Sequence, residues 1–141
     1  SINERRQTIL QQLLEHGLKL HHETRCYGLR RDRLIARAKM VINFHYFPAK
    51  VMEIVRLSYL WANGVFVVCE RGDDLELERP FEDGVAFCTY DTLVETCLAY
   101  LKRPQVRNRI GQQGRELFGA TSQAHYLAAA LEQLKQFDDT P

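Results

Sequence analysis

Met40-Val41-Ile42-Asn43-Phe44 and Val65-Phe66-Val67-Val68-Cys69 are two short, nearly unbroken apolar runs, and they decide the fold class. A strand with one wet face alternates apolar and polar residues. A continuous run of this length is the signature of a parallel strand covered on both faces. Between the two runs, Lys50 to Asn63 is apolar almost all round and ends at Gly64, which predicts a heavily buried helix with a left-handed stop. Strand, helix and strand in that order give a crossover unit with parallel strands.

The same logic extends outward. Asp32 to Lys39 predicts a short helix with Leu34, Ile35 and Ala38 inward, and Leu18, Leu20 and His22 alternate as in an edge strand. Before them, Ile9, Leu10, Leu13 and Leu14 share a helical face that Gly17 ends. Ser1 with Glu4 forms a capping-box pattern, with Asn3 as the competing cap. On the other side, Glu70 to Gly84 is a charged loop and Val85 to Cys88 a short strand. Thr92 and Glu95 open a helix through Leu93, Val94, Cys97, Leu98 and Leu101, and Pro104 takes the first position of the next, with Val106, Ile110, Leu117 and Phe118. Thr121 or Ser122 caps a last helix bearing Leu127, Leu131 and Leu134, and the final four residues are a frayed tail. The expected architecture is α/β: a mostly parallel sheet of about four or five strands, helices on both faces, and the C-terminal helices packed alongside.

Composition narrows the function classes. With 141 residues, 45% hydrophobic and 26% charged, the chain suits one globular domain and is neither fibrous nor low-complexity. No apolar run approaches the roughly 18 residues of a membrane span. Nineteen basic against eighteen acidic residues give a net charge of +1, so a nucleic-acid partner is not expected. The basic cluster Arg30, Arg31, Arg33 and Arg37 is broken by Asp32 and reads as a solvated helix face. Cys26, Cys69, Cys88 and Cys97 have no C-x-x-C spacing, which points to buried thiols in a reducing, cytoplasmic setting. His21 and His22 fall on opposite faces of a strand and Asp73 and Asp74 lack partner carboxylates, so no metal is expected. Neither a dinucleotide-binding glycine motif, a phosphate-binding lysine loop, a nucleophile elbow nor a zinc-protease motif is present, and no cofactor is expected.

In an open parallel sheet, ligands bind beyond the C-terminal ends of the strands. That rule selects the loops Asn43–Lys50 and Glu70–Asp74. Asn43 and His45 offer polar groups, Tyr46 a ring face for a base or sugar, and Lys50 a charge where free N–H groups of a helix start would suit a phosphate. Glu53 can accept from paired sugar hydroxyls, and Glu70 is the first polar residue past its strand. Arg5 and Arg6 would reach the same rim, and could meet a diphosphate, if a strand preceded Ser1.

Leu60-Trp61-Ala62-Asn63-Gly64, Phe81-Glu82-Asp83-Gly84-Val85-Ala86-Phe87, Tyr90-Asp91-Thr92-Leu93-Val94-Glu95 and Pro104-Gln105-Val106-Arg107-Asn108-Arg109-Ile110 follow one another in an order that resembles the C-terminal half of group 1 glycosyltransferases of the two-domain GT-B architecture. Tyr27-Gly28, Arg31 to Lys39 and Ser1 to Arg6 extend the likeness upstream, with Gly114 and Phe118 closing it downstream. The resemblance implies a single Rossmann-like domain over 1–141, the C-terminal half of a longer protein, and transfer of a sugar from a nucleotide diphosphate donor without a required metal. Carried over by position, Arg5, Arg6, Asn43, His45, Tyr46, Lys50, Glu53 and Glu70 form the donor side. The family's paired glutamates are not reproduced: eight positions before Glu53 stands His45. The expected partners are the nucleotide sugar and an N-terminal half, without which the fragment should turn over poorly. The alternatives are a non-catalytic α/β interaction module that dimerises through an open sheet edge, and a flavodoxin-like small-molecule binder.

Overall fold

The computed structural model describes residues 3–47, 50–120 and 122–138. The two apolar runs lie side by side as β1 (Val41–Asn43) and β2 (Val67–Glu70), parallel, with Val41 opposite Val67 and Asn43 opposite Cys69. β3 (Ala86–Cys88) pairs with the far side of β2, also parallel, with Val68 opposite Ala86. The sheet order is β1-β2-β3. Its helices are α1 (Glu4–Glu15), α2 (Gly28–Arg37), α3 (Ile54–Ala62), the single turn α4 (Leu75–Glu78), α5 (Leu93–Leu101), α6 (Pro104–Gly119) and α7 (Gln123–Asp138).

Residue alternation along β2 divides the core in two. Val68 faces α1 and α5, packing with Ile9, Leu13, Leu93 and Cys97. Val67 and Cys69 face the opposite side, where Leu57, Leu60 and Trp61 of α3 form the core with Ile35 and Phe118 packed on them. β2 is buried throughout, as a central strand covered on both faces must be. The result is the expected Rossmann-like three-layer arrangement.

α6 lies so close that glycine is required. A Cβ on Gly114 would come within 2.8 Å of both the Gly84 carbonyl and Trp61 Cδ1. Trp61 itself is fully buried and stacks on Phe81 at a centroid distance of 4.3 Å.

Several expectations are corrected. Three strands are present among the described residues, not four or five, because the stretch Leu18–His22 forms none. Leu18 and Leu20 do pack on the core, but His21 and His22 line the same open groove as Val41 and Ile42 of the edge strand and are not hydrogen-bonded to it. α3 begins at Ile54 instead of Lys50: Glu53 is its cap residue, and the Lys50 carbonyl is taken by Asp73 N–H at 3.0 Å. Thr92 starts α5 without a side-chain cap, since its Oγ accepts from Thr89 N–H. The charged loop contains α4, capped by Asp74, and a 3-10 turn over Arg79–Gly84. α2 begins earlier than expected, at Gly28, whose φ is +58°. α6 packs alongside as expected, but α7 does not: its side chains from Gln123 to Lys135 are all exposed.

Asn3, not Ser1, caps α1, accepting from Arg6 N–H at 3.0 Å. Ser1, Thr121 and the last three residues lie outside the described residues, as do Pro48 and Ala49. Gly17 and Gly64 end their helices at φ of +76° and +64°, as the sequence predicts. All four cysteines are free, three of them buried.

Candidate functional site at the sheet rim

The first turn of α1 is fastened to the chain leaving β1 by three side chains in a row. Asn3 Nδ2 donates to the Tyr46 carbonyl at 2.7 Å, Arg5 Nη1 to the His45 carbonyl at 2.9 Å and Arg6 Nη2 to the Phe44 carbonyl at 2.9 Å. This brings residues about forty positions apart to one rim.

The two arginines then part company. Arg5 pairs with Glu70 at the end of β2, with Nη1 on Oε2 at 2.8 Å and Nη2 on Oε1. His45 N–H donates to the same Oε2 at 3.0 Å. Tyr90 completes the holder, its ring 4.0 Å beneath the guanidinium and its hydroxyl donating to the Arg5 carbonyl at 2.9 Å. Glu70 is only 1% exposed. Burial alone would push its carboxyl up, but the Arg5 guanidinium and the His45 N–H outweigh that and hold it below the usual carboxylate range. The Arg5–Glu70 pair braces the rim from within.

Arg6 faces outward. It lines an open groove of about 1450 Å³ along the outer edge of β1, between α1, residues 21–27, α2 and the first half of α3. Its guanidinium lies 5.5 Å from the Phe44 ring and 5.2 Å from the Tyr46 ring, and its Nε is buried with no hydrogen-bond partner among the described residues. His45 is 3% exposed and its Nε2 is likewise without a partner there. A third such atom at the rim is Glu53 Oε2; it contacts Arg56 Nη1 at 2.5 Å, an ion pair made outside hydrogen-bonding geometry. The fourth, Trp61 Nε1, belongs to the core behind α3.

Glu53 and Arg56 both line the groove. Arg56 is set in place by Asn43, whose Oδ1 accepts from Nη1 at 2.9 Å while its Nδ2 reaches Cys69 Sγ. Asn43 is fully buried and reaches the groove only through this contact with Arg56. Lys50 is exposed, its Nζ 4.0 Å from Asp73 Oδ1. The loop below is held by Glu78, which is fully buried and accepts Gly72 N–H at 2.5 Å.

Of the eight expected residues, Arg6 and Glu53 line the groove; Tyr46 stands beside Arg6; Arg5, Asn43 and Glu70 support from behind, and the backbone of buried His45 is held between Arg5 and Glu70; Lys50 lies on the outer loop. Arg56 and Tyr90 were not among the eight. Arg56 carries a sequence signal, since it lies three residues after Glu53 on one helical face. Tyr90 carries none, because its link to Arg5 spans 85 residues.

A parallel sheet with helices on both faces defines a Rossmann-like α/β domain. Residues 5–136 match the family described as glycosyl transferase-like, and the chain belongs to that family. An uncharacterized protein of Acanthamoeba polyphaga mimivirus is 33% identical over 106 residues, 72% of this chain and 34% of its own length. The chain thus spans about a third of that relative. No solved structure matches it.

Proposed function

We propose that this domain binds the nucleotide diphosphate sugar donor of a glycosyltransferase and works with an N-terminal half in a longer protein. The supporting observation is the buried, unpartnered Arg6 Nε beside the groove. An unpaired buried donor costs about 1–3 kcal/mol, and a phosphate oxygen is a strong acceptor for it. Arg56 supplies a second positive charge, and the ring faces of Tyr46 and Phe44 flank the first. Glu53 is the carboxylate that accepts sugar hydroxyls once its ion pair with Arg56 opens. Family membership supports the reaction class. With one half alone nothing closes over the donor, so turnover by the isolated chain is expected to be poor.

The test is ligand-observed NMR with uridine, guanosine and adenosine diphosphates and their sugars. Binding of one nucleotide that Arg6→Ala weakens supports the assignment. Silence across the panel favours the second reading, a non-catalytic module that pairs with another copy through the outer edge of β1. That edge carries no strand among the described residues, and a dimer in light scattering would support it.

A further inference from the structure

Residues 19–39 hold seven basic side chains against two acidic ones, +5 in a chain whose net charge is +1, so the remainder is acidic and the molecule is strongly dipolar. The structure shows how that excess is displayed. At 100° per residue, Leu29, Arg30, Arg33, Ala36 and Arg37 fall in one arc of roughly 120° on α2, while Arg31, Asp32, Leu34 and Ile35 fall in the opposite arc. Burial follows this division: the first five are exposed and the last four are half-buried. Both acids of the segment are engaged. Asp32 accepts from Tyr59 Oη at 2.6 Å and from Arg31 Nε at 3.1 Å, and Glu23 pairs with Arg30 and His21. The outward arc of α2 carries no acidic residue of its own; Glu23 from the preceding turn meets Arg30 there, and Arg33 and Arg37 have no acidic partner among the described residues.

Two large apolar side chains stand in this basic field with nothing packed over them. Tyr27 is 75% exposed and Leu29 is 74% exposed, at the start of α2 where Arg25 also projects. A solvated helix face has no use for an exposed tyrosine and leucine beside four arginines. A surface that meets anionic headgroups and the shallow acyl boundary uses both kinds of side chain, charge for attraction and an aromatic–aliphatic pair for shallow insertion.

We propose that the outer face of α2 with the turn before it, Arg25, Tyr27, Leu29, Arg30, Arg33 and Arg37, docks on an anionic lipid surface. No helix of the described residues is long and apolar enough to cross a membrane, so the contact is peripheral. It places the groove, whose wall includes Arg25, Tyr27 and Arg31, next to the lipid plane.

Cosedimentation of the 141-residue chain with phosphatidylcholine vesicles, with and without phosphatidylserine, tests this. Binding is expected only with phosphatidylserine and should weaken as salt rises. Arg33→Glu/Arg37→Glu should lower vesicle affinity at least tenfold, while Lys102→Glu/Arg103→Glu, the same charge change on exposed residues elsewhere, should lower it far less. Tyr27→Ser/Leu29→Ser, which keeps every charge, should also reduce binding severalfold; circular dichroism checks that each variant stays folded. No binding, equal binding to neutral vesicles, or equal losses in the control pair would overturn the proposal. So would tighter binding to a single-stranded RNA oligomer than to the vesicles, indifferent to the Tyr27 and Leu29 changes, which would point to a nucleic-acid surface instead.

Discussion

Arg5 Nη1 donates to Glu70 Oε2 at 2.8 Å, joining the first turn of α1 to the last residue of β2 across 65 positions of sequence. Glu70 is sealed while Arg5 keeps a quarter of its side chain exposed. Removing the buried partner leaves the guanidinium with only the Tyr90 ring and the His45 carbonyl. Breaking buried pairs costs about 3–5 kcal/mol, and the partial exposure of Arg5 puts Glu70→Gln near the lower figure, about 3 kcal/mol in urea unfolding.

The same pair sets an acid limit. The folded carboxyl titrates below the usual 4.5, so its stabilisation is fully present above that value and is lost as pH falls through the folded value. The wild-type urea midpoint should therefore drop more between pH 7 and pH 3 than that of Glu70→Gln. Parallel losses in the two proteins would show that other carboxylates dominate.

Arg5 and Arg6 are neighbours in sequence with separable roles. Arg6→Ala should weaken nucleotide binding about tenfold or more while lowering the melting temperature less than Arg5→Ala, which loses the buried pair with Glu70. A titration in which both variants bind like the wild type would remove the groove wall from the site.

Burial pushes the thiols of Cys69, Cys88 and Cys97 up to about 12. Half-buried Cys26 is raised too, first by desolvation and then by nearby Glu23, but it remains reachable. At pH 8 a disulfide reagent should modify Cys26 alone in the native protein and all four after unfolding. Rapid release of two or more equivalents from the native state would contradict the packing around α5.

Gly114→Ala forces a methyl group against the Gly84 carbonyl and the Trp61 ring, neither of which can swing away. Overpacking of this kind costs about 1–3 kcal/mol, enough to lower the melting temperature by several degrees. Gly119→Ala on the same helix meets nothing within 4 Å and should be neutral or slightly stabilising. Equal melting temperatures for the two would refute the close approach of α6.

The strand–helix–strand unit was legible because Val65 to Cys69 has no polar break, a pattern that only a strand covered on both faces requires. The rim was legible for the same reason, since the end of a buried strand fixes where polar residues emerge. The stretch Leu18–His22 misled because alternation reports which side chains pack, and Leu18 and Leu20 do pack, but pairing needs a neighbour within hydrogen-bond reach. The start of α3 misled because the Lys50 carbonyl is claimed by Asp73, a tertiary contact with no trace in local propensity. Site roles were hardest. Which of two adjacent arginines meets a ligand depends on where Glu70 and Tyr90 fall, and neither is close in sequence.

The docking of α1 also has a timing. Its anchors are the carbonyls of Phe44, His45 and Tyr46, then Glu70, then Tyr90, whose hydroxyl closes on the Arg5 carbonyl from 85 residues away. At a synthesis rate of about 5–20 residues per second, roughly 4–17 s pass between the emergence of Arg5 and that of Tyr90. Until β1 and β2 have both emerged, Ile9 and Leu13, both buried in the finished core, have no sheet to cover them. The nascent chain thus exposes the apolar face of α1 to the ribosome surface and to chaperones well before the rim can close.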